Sequence, residues 1–486
     1  NLVLGVNSAG NTTGMTFRMV GSAGGYRLEA AIPWTRIGIV PTAGADIGLE
    51  VHVGDDDGGP GSPDRDSKIA WADPIDQSWL DPGYFGTGRL VVPTHSVSGT
   101  IYHDVDGDAD VAEGGTLAFA GAPVRIYRDD GDGVIEGAGS DLLVATASTD
   151  TSGNYAFTGL ADGTYWVIVD SRQLAPSAYN GGFGIANVWA EQTYGVANAA
   201  SGAGFTGSAG ALYGGRNASL SDVATSALNA EHLTRVLVSG ASVAGIDSGF
   251  SFNAIVNTRG DNTDDDATRA GVQQQGSLRQ FILNSNAIAG TESANFSIGT
   301  GAVTIAPTTV LPDITDRVIL DATTQEGWTS APVVELNGSL AGAGNDGLSL
   351  MAGSSGSTLR GFIINRFGGS AIEVNSNGNL VAGNYLGTNA AGTAASANGF
   401  YGIYVSGSNN IIGGATAADR NVIAGNSQDG VRIDTGADLN SVYGNYIGVG
   451  ANGATPIGNG DDGLEVNGTG NVVGGPTAAH GNIIAN

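Results

Sequence analysis

Cysteine is absent from the 486 residues, so no disulfide staples the fold and no thiolate serves chemistry or metal binding. Lysine is almost absent. Lys68 is the one lysine among 19 basic residues, against 47 Asp and Glu, a formal net charge of −28. A chain this acidic has no basic face for a phosphate backbone, which excludes nucleic acid and anionic membranes as partners. No run of about 18 apolar residues occurs, so no helical span and no membrane insertion is expected. Asn1 has no initiator methionine and no signal-peptide pattern, and Asn482–Asn486 stop inside a repeat. Both ends are therefore expected to continue in a longer protein.

What is present is glycine, 81 residues of it, beside an apolar fraction of 41%. That pairing describes many turns around real cores, not disorder. The acidic residues gather in loops, which points to cations. In an extracellular protein without disulfides, calcium is a natural substitute staple.

Residues 346–486 contain an internal repeat. NLVAGNYLG at Asn379–Gly387 returns at Asn440–Gly448, and GIYV at Gly402 returns at Gly463. NIIGG at Asn410 returns at Asn471, and NVIAGN at Asn421 returns at Asn482. All four pairs share one identical offset, and a fixed period marks a stacked fold. Apolar runs of three to five residues, bounded by Gly, Asn, Ser or Asp, are strands rather than helices. Such short strands bury a face only by stacking on copies of themselves. The spacing predicts a parallel β-helix, with each repeat as three coils of about 20 residues. A strict hexapeptide repeat is missing, which favours the right-handed form. Asn384, Asn426 and Asn445 recur at strand ends, where amide ladders or turn caps are expected.

Upstream, residues 1–93 alternate like antiparallel strands: Tyr26–Trp34, Ile47–Asp57, Ser67–Trp71 and a final RLVV. The "AIPW" strand, the acidic turn after "VHV", "DSK…W" and the closing "W…P..FG" resemble the C-terminal part of the family 9 carbohydrate-binding module. The resemblance implies a β-sandwich whose N-terminal part precedes Asn1. Sugar recognition needs flat aromatics and nearby polar groups. Trp71, Trp79, Gln77 and Arg65 are the candidate ligand residues. Trp34 in its strand reads as core.

Residues 97–252 form the next unit. "GTIYHDVDGDAD", "VRIYRDDGDGV" and "T…GNYAFTGLADGTYWV" resemble the B repeat of serine-aspartate-repeat adhesins and collagen-adhesin B-type domains. That implies an immunoglobulin-like β-sandwich. Asp104, Asp106, Asp108, Asp110 and Glu113 form one acidic loop; Asp130, Asp132 and Glu136 form a second, with Asp141 placed to close it. Carboxylates at alternate positions converge when a loop curls, as in EF-hand-like sites, and both loops match the family's calcium loops. Structural calcium is the expected cofactor. The Lys–Asn cross-link of some B-type domains is excluded, because Lys68 lies outside the unit. Residues 173–252 read as a Gly-rich extension that ends in a closing strand pair, with Gly202–Gly210 as a flexible loop.

The β-helix is placed at residues 253–486. GSLRQFILNSNAI (Gly276–Ile288) is the one amphipathic helix, with Ser277 as N-cap and Leu278, Phe281, Ile282 and Ile288 on its apolar face. It resembles the N-terminal cap of secreted right-handed β-helix proteins of the pectate-lyase-like superfamily. Arg259-Gly260-Asp261 spells an integrin tripeptide, but such triplets arise by chance. A glycosidase needs paired carboxylates at about 5–9.5 Å. The interval from Asp429 to Asp462 is not a whole number of coils if each coil takes about 20 residues. Glu373 and Glu465 point outward in distant coils, and Arg360, Arg366, Arg420 and Arg432 are dispersed. No catalytic residue is assigned.

The expected architecture is all-β: two β-sandwich domains (1–93 and 97–252) followed by a right-handed parallel β-helix with an N-terminal capping helix. The expected function is a secreted, non-catalytic bacterial surface protein. It would be monomeric and bind extracellular or cell-wall polysaccharide or a host glycan. A polysaccharide lyase or glycoside hydrolase with an accessory module is the alternative, and a purely structural stalk the second.

Overall fold

The computed structural model describes residues 94–485 apart from 106, 108–117, 137–140, 202–203, 208, 212–214, 217–225 and 257–275. Within 1–93 it describes six strands. These pair antiparallel: Thr16–Ser22 with Gly25–Ala31, Asp46–Leu49 with Gly86–Arg89, and His52–Asp55 with Ser67–Ala70. The single strand expected over Ile47–Asp57 is two strands with different partners. Of the expected closing RLVV strand, Arg89 ends the strand Gly86–Arg89, and residues 90–92 lie outside the described residues.

Residues 95–251 build a two-sheet sandwich. One sheet orders Asn154–Leu160, His95–His103, Ser248–Ser251, Glu191–Gly195 and Gly210–Ala211; the other orders Leu233–Val238, Gly163–Val169, Pro123–Arg128 and Leu142–Ser148. Alternate residues face inward, as in Val97 and Ile101 against Val124 and Ile126, with Phe157, Val167 and Phe250 completing the core. Such alternation makes a strand amphipathic with period two and forces sheet-on-sheet burial. The last segment is more than an extension. Leu233–Val238 and Ser248–Ser251 do not pair with each other; they complete opposite sheets, and Ser248–Ser251 runs parallel to His95–His103.

That parallel strand leads straight into the β-helix. Ala254–Ile255 is the first rung, pairing with Glu292–Phe296. Three parallel sheets follow. The first face carries eight strands, the second seven and the third five. Val, Ile and Leu stack inward in columns such as Leu359, Val381, Ile412 and Val442, all fully buried. A parallel ladder with its apolar side turned to a shared interior is the arrangement that short runs of aliphatic residues favour.

The period needs correction. Leu380 pairs with Ile411, and Ile411 with Ser441. Their neighbours Asn379, Asn410 and Asn440 are linked in the same order, at separations of 31 and then 30. Two such steps already carry Asn379 to its repeat copy Asn440, so the repeat is two coils, not three. Each coil spends its extra residues on the third strand and on protruding loops. Residues 388–395 and 449–456 are two such loops, each closed by a bridge and stacked through Ala451 N–H donating to Gly392 O at 2.8 Å. Corners recur with the repeat. Gly383 and Gly444 both have positive φ, at 68° and 74°, and a Cβ on either would meet a backbone carbonyl within 2.6 Å. Only glycine fits there.

Asparagine forms the second repeating element. Asn379 N–H donates to Asn410 Oδ1, Asn410 N–H to Asn440 Oδ1 and Asn440 N–H to Asn471 Oδ1. A second ladder runs through Asn384, Asn421, Asn445 and Asn482, and a third through Asn398, Asn426 and Asn459. Each corner turns the backbone away from its sheet, and the amide supplies the donor and acceptor that the turn removes.

The helix spans Leu278–Ala287 and is capped by Ser277, whose hydroxyl accepts from Gln280 N–H at 3.1 Å. Leu278, Phe281 and Ile282 cover the first rung beside Ile255 and Phe296. Ala287 and Ile288 pack instead into the sandwich core, and Asn284 ties Trp189 to Phe252 through its amide. The helix therefore joins the two units as well as covering an open end.

His103 sits at this junction between Phe119 and Phe252. Burial lowers its pKa to about 4, only partly offset by a hydrogen bond with Asn253. The imidazole is neutral when folded and titrates near 6.5 when unfolded. Its contribution to stability is present above about pH 6.5 and is lost as pH falls through about 4. His103→Gln is expected to remove as much as about 3 kcal/mol of this acid sensitivity in melts followed from pH 7 to 4. An unchanged acid profile would count against it.

Candidate functional site

The sandwich holds one acidic site in the described residues. Asp129 and Asp130 follow the strand Pro123–Arg128, and the chain turns at Gly131 and Gly133, both at positive φ. The turn curls the carboxylates inward. Oxygens of Asp129, Asp130 and Asp132 lie within 4.8 Å of one another. Asp129 accepts from Gly131 N–H at 2.9 Å and Gly133 N–H at 3.1 Å, Asp130 from Asp132 N–H at 3.2 Å, and Asp132 from Val134 N–H at 2.8 Å.

Asp141 returns to the same loop and accepts from Glu136 N–H at 2.7 Å. Burial pushes its carboxyl up to about 6, with the charges of Asp129 and Glu136 adding to the rise. The structure thus brings Asp130 and Asp132 together. Glu136 reaches the site by its backbone N–H. Asp129 is an addition hidden by its neighbour, because a DxD reading starts at Asp130. Crowded carboxylate oxygens fit a hard divalent cation. Of the first acidic loop, Asp104 is described and fully buried. Asp106, Asp108, Asp110 and Glu113 lie outside the described residues, as do Trp71, Trp79, Gln77, Arg65 and the Arg259-Gly260-Asp261 tripeptide.

A polar depression of about 650 Å³ lies elsewhere on the sandwich, lined by Thr100, Asp150, Asn154 and Asp247 among others. Its carboxylates are engaged by backbone. Asp247 accepts from Thr100 N–H, and Asp150 from Ser152 and Asn154 N–H. It reads as loop architecture.

On the β-helix the corrected period changes the residue map. Asp429 and Asp462 are one coil apart, and Asp462 N–H donates to Asp429 Oδ1 at 2.9 Å. Asp461 joins them, all three within 4.8 Å. Glu373, Tyr404, Arg432 and Glu465 are successive rungs of one outward column on the third face. Arg432 pairs with Glu465 and lies 3.6 Å from Asp429, so these charges are not dispersed. Burial and the neighbouring acids raise the Asp429 carboxyl. Glu373 is raised too, first by burial and then by the charge of nearby Asp346. Glu373 and Glu465 are three rungs apart, about 14 Å at roughly 4.8 Å per rung, beyond the reach of a glycosidase pair.

Comparison with known proteins bears on the N-terminal region. Residues 4–92 match the family described as carbohydrate family 9 binding domain-like. Among curated relatives are the endo-1,4-beta-xylanases A of Thermotoga maritima and Thermotoga neapolitana, each 41% identical over 68 residues. That segment is 14% of this chain and 6% of each relative, so the chain spans a small part of their length. The domain is thus carbohydrate-binding-module-like. Among the described residues, no helix is long and apolar enough to cross a membrane.

Proposed function

We propose that this chain is an extracellular surface protein that binds polysaccharide through its N-terminal domain and has no catalytic role of its own. The observation that carries the reading is the family match over residues 4–92. Trp71 and Trp79 would stack on pyranose faces while Gln77 and Arg65 bond hydroxyls. The sandwich from 97 to 252 is a spacer stiffened by calcium at the Asp129–Asp132 and Asp104–Glu113 loops, as in the adhesin B-type domains it resembles. The β-helix displays the binding domain on a rigid rod, the role of adhesion.

The full chain on a glycan array is expected to bind plant or cell-wall polysaccharide. Trp71→Ala with Trp79→Ala is expected to weaken that binding by at least about tenfold, or about 1.4 kcal/mol, without lowering the melting temperature. No binding to any glycan would sink the reading. Release of reducing ends from a bound polysaccharide would overturn its non-catalytic part.

A further inference from the structure

The third face of the β-helix differs from the other two. Seven of the nine acidic residues after position 345 lie on it: Asp346, Glu373, Asp429, Asp434, Asp461, Asp462 and Glu465. In the midst of them are aromatic rings. Tyr401 and Tyr404 have centroids 5.7 Å apart and planes 24° apart, and Phe400 stands 6.4 Å from Tyr401 and is 46% exposed. Tyr404 is anchored, its hydroxyl donating to Asp434 Oδ2 at 2.7 Å. Arg432 is placed over Tyr401 at 5.7 Å and is the base that serves Asp429 and Glu465. At the other end, Asp346, which accepts from Ser370 N–H, and Glu373 lie on adjacent rungs, and among the described residues no basic side chain pairs with either.

We propose that this face is a second glycan-binding surface, one that takes a pyranose chain bearing free amino groups. The nearly parallel rings suit the apolar face of a sugar. The uncompensated carboxylates at Glu373 and Asp346 suit an ammonium, and the same field repels uronate or sulfated chains. A basic peptide is disfavoured. The strands here are interior to a five-stranded sheet except at its ends, so a peptide finds no free edge to pair with. The surface is separate from the N-terminal domain and goes beyond the reading given to that domain.

The test is calorimetric titration of the full chain, at mildly acidic pH and low salt, with a β-1,4-glucosamine hexamer. Its fully N-acetylated counterpart, an oligogalacturonate and hexalysine are the comparison probes. The glucosamine hexamer is expected to bind at least about tenfold more tightly than the other three. Tyr404→Ala and Glu373→Gln are each expected to weaken it by about that factor, while Tyr404→Phe, which keeps the ring, retains it. Trp71→Ala with Trp79→Ala leaves this binding intact, which separates the surface from the N-terminal domain. Equal binding of oligogalacturonate or hexalysine, or full binding by both Tyr404→Ala and Glu373→Gln with unchanged melting temperatures, overturns the proposal.

Discussion

Asn421→Asp is expected to destabilise the β-helix by roughly 3–5 kcal/mol, the cost of an uncompensated buried charge. Asn421 is fully buried at a corner. Its Oδ1 accepts from Asn384 N–H at 2.9 Å, while its Nδ2 donates to Val381 O at 2.8 Å and Asn445 Oδ1 at 2.9 Å. Aspartate keeps the acceptor and loses the donor. Its second oxygen then faces two other acceptors with no water to separate them. Protonation relieves the charge but restores only one of the two donated bonds. Asn421→Ala is expected to cost about 3 kcal/mol, since it leaves several buried groups unsatisfied. Asn389→Asp is the control. Asn389 sits in a protruding loop, and its Oδ1 accepts from Thr393 N–H, a bond that aspartate preserves. Its cost is expected to stay within about 0.5 kcal/mol. Chemical denaturation of the three variants decides the matter. Equal losses at 421 and 389 would mean that the ladders carry little stability.

Calcium at a hundredfold excess over its dissociation constant is expected to stabilise the sandwich by about 3 kcal/mol, and chelation to remove that gain. The effect has a pH signature. The Asp141 carboxyl, raised to about 6 by burial, is protonated in the folded metal-free state below that pH. Its contribution to metal-free stability is therefore present below about pH 4 and lost as pH rises through about 6. Calcium requires ionised carboxylates, so the calcium-induced rise in melting temperature should shrink as pH falls from 7 to 5. Asp130→Asn with Asp132→Asn should abolish the rise and leave the chelated protein no less stable than the native one, because carboxylate repulsion goes with the charges. A melt indifferent to chelator would remove calcium from the account of this domain.

The two cases differ in how far the sequence leads. The Asn ladders were legible at Asn384, Asn426 and Asn445, because a long repeat can keep an amide only where an amide is needed. The capping helix was legible at Ser277, which caps it, and at Leu278, Phe281 and Ile282, its buried stripe, but not at Ile288, which packs into the sandwich core. The second acidic loop was legible at Asp130 and Asp132 but not at Asp129, which enters only because glycines at 131 and 133 fold the chain back over it.

The charged face was not legible, for a definable reason. Repeat length is written in the sequence, but the number of coils per repeat is not. Short strands and loops of arbitrary length read alike, so the same repeat divides as well into three coils as into two. With three short coils per repeat, Asp429 and Asp462 fall out of phase; with two longer ones they touch. What the sequence determined by itself was the kind of fold, through the period, the glycine and asparagine corners and the buried aliphatics. Which outward side chains share a face was decided only by the tertiary structure, because inter-coil hydrogen bonds set the register, and register alone places Glu373, Tyr404, Arg432 and Glu465 in one column.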